Sequence, residues 1–181
     1  MSMQRIFVPR ETSAISLGAD DVAEKIRSKL ASSGSKAKIA RNGSWGMCWL
    51  EPLIEVETGK GRIAYGPVTS DDVDSLIAAD FLNGGKHALR LGPTEKISWL
   101  ARQQRWTFAR CGLIDPLSIE EYRANGGFDG FEKALATGAS AVVEMVTASG
   151  LRGRGGGGRV HGAHEHPRRA GAGKQRINAG R

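Results

Sequence analysis

The chain has 181 residues, 40% of them hydrophobic, enough for one medium domain or two small ones around a buried core. No stretch approaches the roughly 18 consecutive apolar residues of a membrane helix, and the opening MSMQRIFVPR runs into a strand-like segment instead of a signal-peptide core, so a cytoplasmic address is expected. The formal charge of +7 sits in the tail: Arg152 to Arg181 holds eight Lys or Arg against Glu165, whereas Met1 to Leu151 holds 18 basic and 18 acidic residues.

In chain order, Arg5 to Val8 reads as a short buried strand that Pro9 ends, because proline donates nothing to a ladder. ADDVAEKIRSKLASSG spaces Val22, Ile26 and Leu30 as one face of a helix that Gly34 closes. KAKIARN is a second strand candidate, the loop NGSWGMCW follows, and LIEVET and RIAYGPV form a hairpin around the turn TGKG. Ser70 is expected to cap DDVDSLIAADFL, with Val73, Leu76 and Ile77 on its inner face. The order β-α-β-β-β-α implies an α/β fold in residues 1–83, and a thioredoxin-like arrangement fits it.

Residues 84–116 read as a linker, turn-rich in GGKHALRLGPTEK and helical in ISWLARQQRWTFARCG. From 117 to 157 the pattern is helical: Ser118 with Glu121 has the spacing of a capping box, FDGFEKALATG is a second helix and ASAVVEMVTASG a third. LRGRGGGG follows, and residues 158–181 form a Gly- and Arg-rich basic tail with no strand or helix period, expected to be disordered.

Few residues present themselves for catalysis. The body holds one histidine, His87, so no Ser, His and Asp constellation is available. Asp20, Asp21, Asp71, Asp72 and Asp74 fall in the first turns of helices, where the dipole favours negative charge. Trp45, Trp49, Trp99 and Trp106 are expected in core or interface packing, and His161, His164 and His166 in the tail lack any second shell that would make them a metal site. Cys48 and Cys111, 63 residues apart, form no disulfide framework and read as reduced structural thiols.

Two groups of motifs carry a family resemblance. DPLSIEEYRANGGFDGFEKAL and SGLRGRGG resemble the entry to the flavoprotein subunit shared by respiratory NADH dehydrogenases, NAD-reducing hydrogenases and NAD-linked formate dehydrogenases. RNGSWGMCWLEPLIEVET, GRIAYGPV and LGPTEKISWLARQQRWTFARCGLIDPLS narrow it to the formate dehydrogenase beta subunit, in which a thioredoxin-like domain precedes the flavoprotein domain. The resemblance implies electron transfer from formate through iron-sulfur clusters and FMN to NAD+, with a molybdenum-containing alpha subunit and a small gamma subunit as partners.

In that family a glycine loop cradles FMN and contributes to NADH binding, since glycine lets backbone N–H groups approach phosphate. Gly153, Arg154, Gly155 and Gly156 match it and Gly158 aligns with the next glycine, but Arg159 stands where an aromatic is expected, and the rest of the pattern is missing. The tail reads like another frame, as after a frameshift or gene-model error. The flavin body and the cysteines of a 4Fe-4S cluster are absent, so this polypeptide alone is expected to bind neither FMN nor NAD. Related thioredoxin-like ferredoxins hold a 2Fe-2S cluster on four cysteines. Here Cys48 matches the last, Ser44 stands at the third, and no cysteine lies near Pro9, so no cluster is expected. The alternatives are a non-catalytic docking module of a redox complex and an RGG-type nucleic-acid binder, the latter disfavoured by the helices ahead of the loop.

Overall fold

The computed structural model describes residues 3–152, which divide into one compact unit through Asn125 and a second beginning at Gly126. In the first unit, β1 (Arg5–Phe7), α1 (Thr12–Ser16), α2 (Ala19–Ser33), β2 (Lys38–Ala40), β3 (Ile54–Thr58), β4 (Gly61–Tyr65), α3 (Val73–Ala78) and β5 (Arg90–Pro93) follow in order. Short helices α4 (Ser98–Ala101) and α5 (Ile119–Ala124) come after the sheet. The strands form one mixed sheet, β2-β1-β3-β4-β5, with β1 and β2 parallel and every other pair antiparallel. The chain therefore has the α/β, thioredoxin-like fold that its sequence implies.

Local chemistry explains the frame. Parallel β1 and β2 need a crossover, and α2 supplies it. Its buried face is Ala19, Val22, Ala23, Ile26 and Leu30; Asp20 and Asp21 open it and Gly34, at φ +67°, closes it in the left-handed region. The β3–β4 hairpin pairs Thr58 with Gly61, as the TGKG turn predicts.

Period-two alternation splits the sheet into two buried faces. Ile6, Ile54, Val56, Ile63 and Tyr65 face α2 and α3, where they meet Val22, Ile26, Val73 and Leu76. Each such side chain contributes about 1.5–3 kcal/mol when fully buried. The opposite face carries Phe7, Glu55, Arg62 and Ala64; a smaller cluster of Met47, Leu53, Ala64 and Leu100 covers it in part.

That second face corrects the reading of 84–116 as a linker. Arg90 to Pro93 extend the sheet as β5, and Leu100 packs beneath it. Gly92 and Pro93 look like turn residues locally, but their pairing with Ala64 and Ile63 is non-local and invisible to a sequence window. Nor is 97–112 one helix: α4 has four residues, and turns follow as far as Leu113. Two smaller differences come from capping and burial. Thr69, not Ser70, closes a capping box with Asp72, and Ile77 is exposed.

Ser118 caps α5 by accepting from the Glu121 backbone N–H at 3.1 Å, while the Glu121 carboxylate accepts from Asp115 N–H instead of closing the box. In the second unit, α6 (Asp129–Thr137) and α7 (Ala139–Ala148) end at Gly138 and just before Gly150, as their spacing predicts. Their larger apolar side chains Phe131, Leu135 and Met145 are exposed. Among the described residues, no helix is long and apolar enough to cross a membrane.

Candidate functional site

The expected phosphate-loop residues Gly153, Arg154, Gly155, Gly156 and Gly158, and the tail with its three histidines, lie outside the described residues. The site that can be built lies around Cys48 and Ser44, the residues expected from the sequence resemblance at cluster-ligand positions. Two loops form it, one after β1 leading into α1, and one from Ser44 to the 3-10 turn Cys48–Leu50.

Glu11 is the N-cap of α1 and accepts from Ser13 N–H at 3.0 Å and Ala14 N–H at 2.8 Å; the Ser13 hydroxyl also donates to it. Burial works to raise the Glu11 carboxyl, but these hydrogen bonds outweigh it and hold the group below the ordinary range. Ser13 Oγ lies 3.9 Å from Cys48 Sγ, which brings the two loops together. Ser44 donates to Glu51 at 2.8 Å, and Glu51 also accepts from Leu53 N–H at 2.9 Å. Burial nevertheless pushes Glu51 up, with the Glu11 and Glu55 charges adding to it.

This donor set does not fit a 2Fe-2S cluster. Such clusters need four soft ligands, usually thiolates. The loops offer one thiol, Cys48, and two hydroxyls already bound to carboxylates. No group of three or more metal-ligating side chains occurs among the described residues.

Beside Cys48 an open cleft of about 700 Å³ extends to the 103–111 segment, and Cys111 lies on its lining too. Both thiols are free and exposed. Of the tryptophans expected in core or interface packing, Trp49, Trp99 and Trp106 are exposed and so lie outside the core, and Trp49 meets Trp99 edge-on at 5.5 Å.

Under the cleft lies a polar network that sequence reading missed. Glu55 on β3 is fully buried and accepts from Trp45 Nε1 at 2.8 Å, Thr94 Oγ1 at 2.8 Å and Asn42 Nδ2 at 3.2 Å, with Arg62 at 3.5 Å. Burial pushes the Glu55 carboxyl up and Arg62 down, while their mutual attraction opposes both shifts. Arg62 reaches onward to the carbonyls of Gly112 and Leu113 at 2.9 and 2.7 Å. The sheet thus holds the connector through one buried carboxylate and one arginine. The alternation in LIEVET signals a strand but places Glu55 on a face that would be solvated without the connector.

Fold and site together define a thioredoxin-like domain with one thiol, Cys48, in the loop between β2 and β3. No family model matches the chain. Over 57 residues it is 47% identical to the NADP-reducing hydrogenase subunit HndC of Solidesulfovibrio fructosivorans, a stretch that makes up 32% of this chain and 12% of that subunit. Among solved structures, the thioredoxin-like [2Fe-2S] ferredoxin of Aquifex aeolicus covers 51% of this chain with 99% of its own length, at 19% identity and a TM-score of 0.42. A cysteine-to-serine variant of that ferredoxin aligns at 22% identity with a TM-score of 0.43. Part of the chain is therefore related to a hydrogenase subunit.

Proposed function

We propose that the chain serves in the flavoprotein (beta) subunit of an NAD-dependent formate dehydrogenase, with its thioredoxin-like domain acting as a docking module in the redox complex. The observation that carries the reading is the 47% identity, over 57 residues, to a subunit of an NADP-reducing hydrogenase. The choice of formate over hydrogen rests on the motifs RNGSWGMCWLEPLIEVET and LGPTEKISWLARQQRWTFARCG.

In this reading a molybdenum-containing alpha subunit oxidises formate, and a small gamma subunit completes the complex. FMN and NAD belong to the flavoprotein subunit, where flavin supplies the step between single electrons and hydride. The parts of the first unit have docking roles: exposed Trp49, Trp99 and Trp106 offer the aromatic anchors that interfaces favour. The one thiol at the cluster position argues against an electron-carrying role for the domain itself.

Affinity purification of the tagged full chain from its host, followed by mass spectrometry, tests the proposal. Co-purification with a molybdenum-containing formate dehydrogenase subunit is the expected outcome. A hydrogenase subunit in its place would transfer the chain to that complex, and recovery alone or with RNA would refute the reading.

A further inference from the structure

The cleft beside Cys48 has features of a small-molecule site that the sheet does not require. Its volume of about 700 Å³ is of the size that ligand pockets have. Trp45, Trp99, Trp106 and Phe108 line it, and the last three are 46%, 86% and 65% exposed, so much aromatic surface stands in water around one concavity. Exposed rings of this kind gain most from another planar ring laid against a face or edge.

Arg105 supplies the polar element. It too lines the cleft; its guanidinium carbon lies 4.8 Å from the centroid of the Trp45 ring, and its Nη1 is buried with no hydrogen-bond partner. A guanidinium held beside an indole in a cleft keeps its charge and its planar fork of donors, which suit a planar anion such as a carboxylate. The other charge on the cleft, Glu11, is already engaged by Ser13 and Ala14. It forms no ion pair with Arg105 among the described residues.

We infer that this cleft binds a small planar aromatic anion, its ring held among Trp45, Trp99, Trp106 and Phe108 and its carboxylate or similar group accepting from Arg105. Trp45 couples the ligand to the fold, because the same indole that faces Arg105 donates its N–H to buried Glu55. The cleft shares Trp99 and Trp106 with the docking surface proposed above, but binding of the ligand needs no partner subunit.

Calorimetric titration of the full chain with 2-naphthoate, and separately with uncharged 2-naphthol, tests it, with the indole N–H resonances of the tryptophans followed by NMR. The naphthoate is expected to bind at least about tenfold more tightly than the naphthol and to shift the Trp45 and Trp106 resonances. R105Q is expected to remove the preference for the charged ligand, R105K to keep part of it, and W106A to weaken both ligands. Equal affinity for the two compounds in the unaltered chain, or an R105Q variant that still prefers naphthoate, would overturn the inference. The comparison in the unaltered chain decides the matter even if a variant fails to fold.

Discussion

The indole N–H of Trp45 donates to the carboxylate of Glu55 across 2.8 Å, so the wall of an open cleft and the buried face of the sheet are one hydrogen-bonded structure. Glu55 pairs across the hairpin with Ala64, next to the strand edge that β5 extends. Loop, sheet and connector therefore meet at a single side chain.

Glu55→Ala should destabilise the first unit by about 3–5 kcal/mol, the range for breaking a buried charge pair and stranding its partners. It leaves Trp45, Thr94 and Asn42 donors without their acceptor and Arg62 without its counter-charge. Urea unfolding measures the loss, and a change below about 1 kcal/mol would mean that the network does not hold the connector.

Gly112 offers a paired test. Its φ is +81°, and an added Cβ would lie 2.4 Å from the Trp45 ring. Gly34 has φ +67° with nothing within 4 Å. Gly34→Ala should lose about 1 kcal/mol for backbone strain alone. Gly112→Ala should lose at least about 1 kcal/mol more and alter the near-ultraviolet circular dichroism of the tryptophans. Equal losses would show that Trp45 yields freely.

Stability should depend on pH in two opposite ways. The hydrogen bond from Arg5 holds Glu57 below its ordinary range against the effect of burial, and hydrogen bonds from Thr69 do the same for Asp72. Groups depressed in the folded state stabilise it above their unfolded pKa, and that contribution is lost as pH falls through the folded value. Glu51 is raised by burial, so its contribution is present below the unfolded pKa and is lost as pH rises through the folded one. Melting temperatures across acid and neutral pH should therefore fall less toward acid in R5Q, while E51Q should flatten the decline toward neutrality. For R5Q the effect should stay below about 1 kcal/mol, because the Arg5–Glu57 pair is part-exposed. An unchanged acid limb in R5Q would assign acid unfolding to other carboxylates.

Much of the frame is legible in the sequence because its signals are local. The 3.6-residue spacing in α2, the alternation around Thr58–Gly61 and the Ser118 cap each lie within one element. What escapes is set by contacts far apart in the chain. Arg90 to Pro93 become a strand only against β4, and the 97–112 run breaks after Ala101. The resemblance singled out Cys48 and Ser44, but Glu11 and Cys111 escape, since they reach the same cleft only once β1, the 44–48 loop and the connector have folded. A buried glutamate inside an alternating strand is the one advance hint, and without the connector it reads as a solvated position.

The proposed docking role requires that this thioredoxin-like frame carry no cluster of its own, and electron paramagnetic resonance reads that point most directly. The purified chain would be incubated anaerobically with iron, sulfide and thiol, desalted and reduced with dithionite. One thiol at the cluster position predicts no [2Fe-2S] signal and no stoichiometric iron retained. A reduced [2Fe-2S] spectrum accounting for most of the protein would contradict it and make the domain an electron carrier.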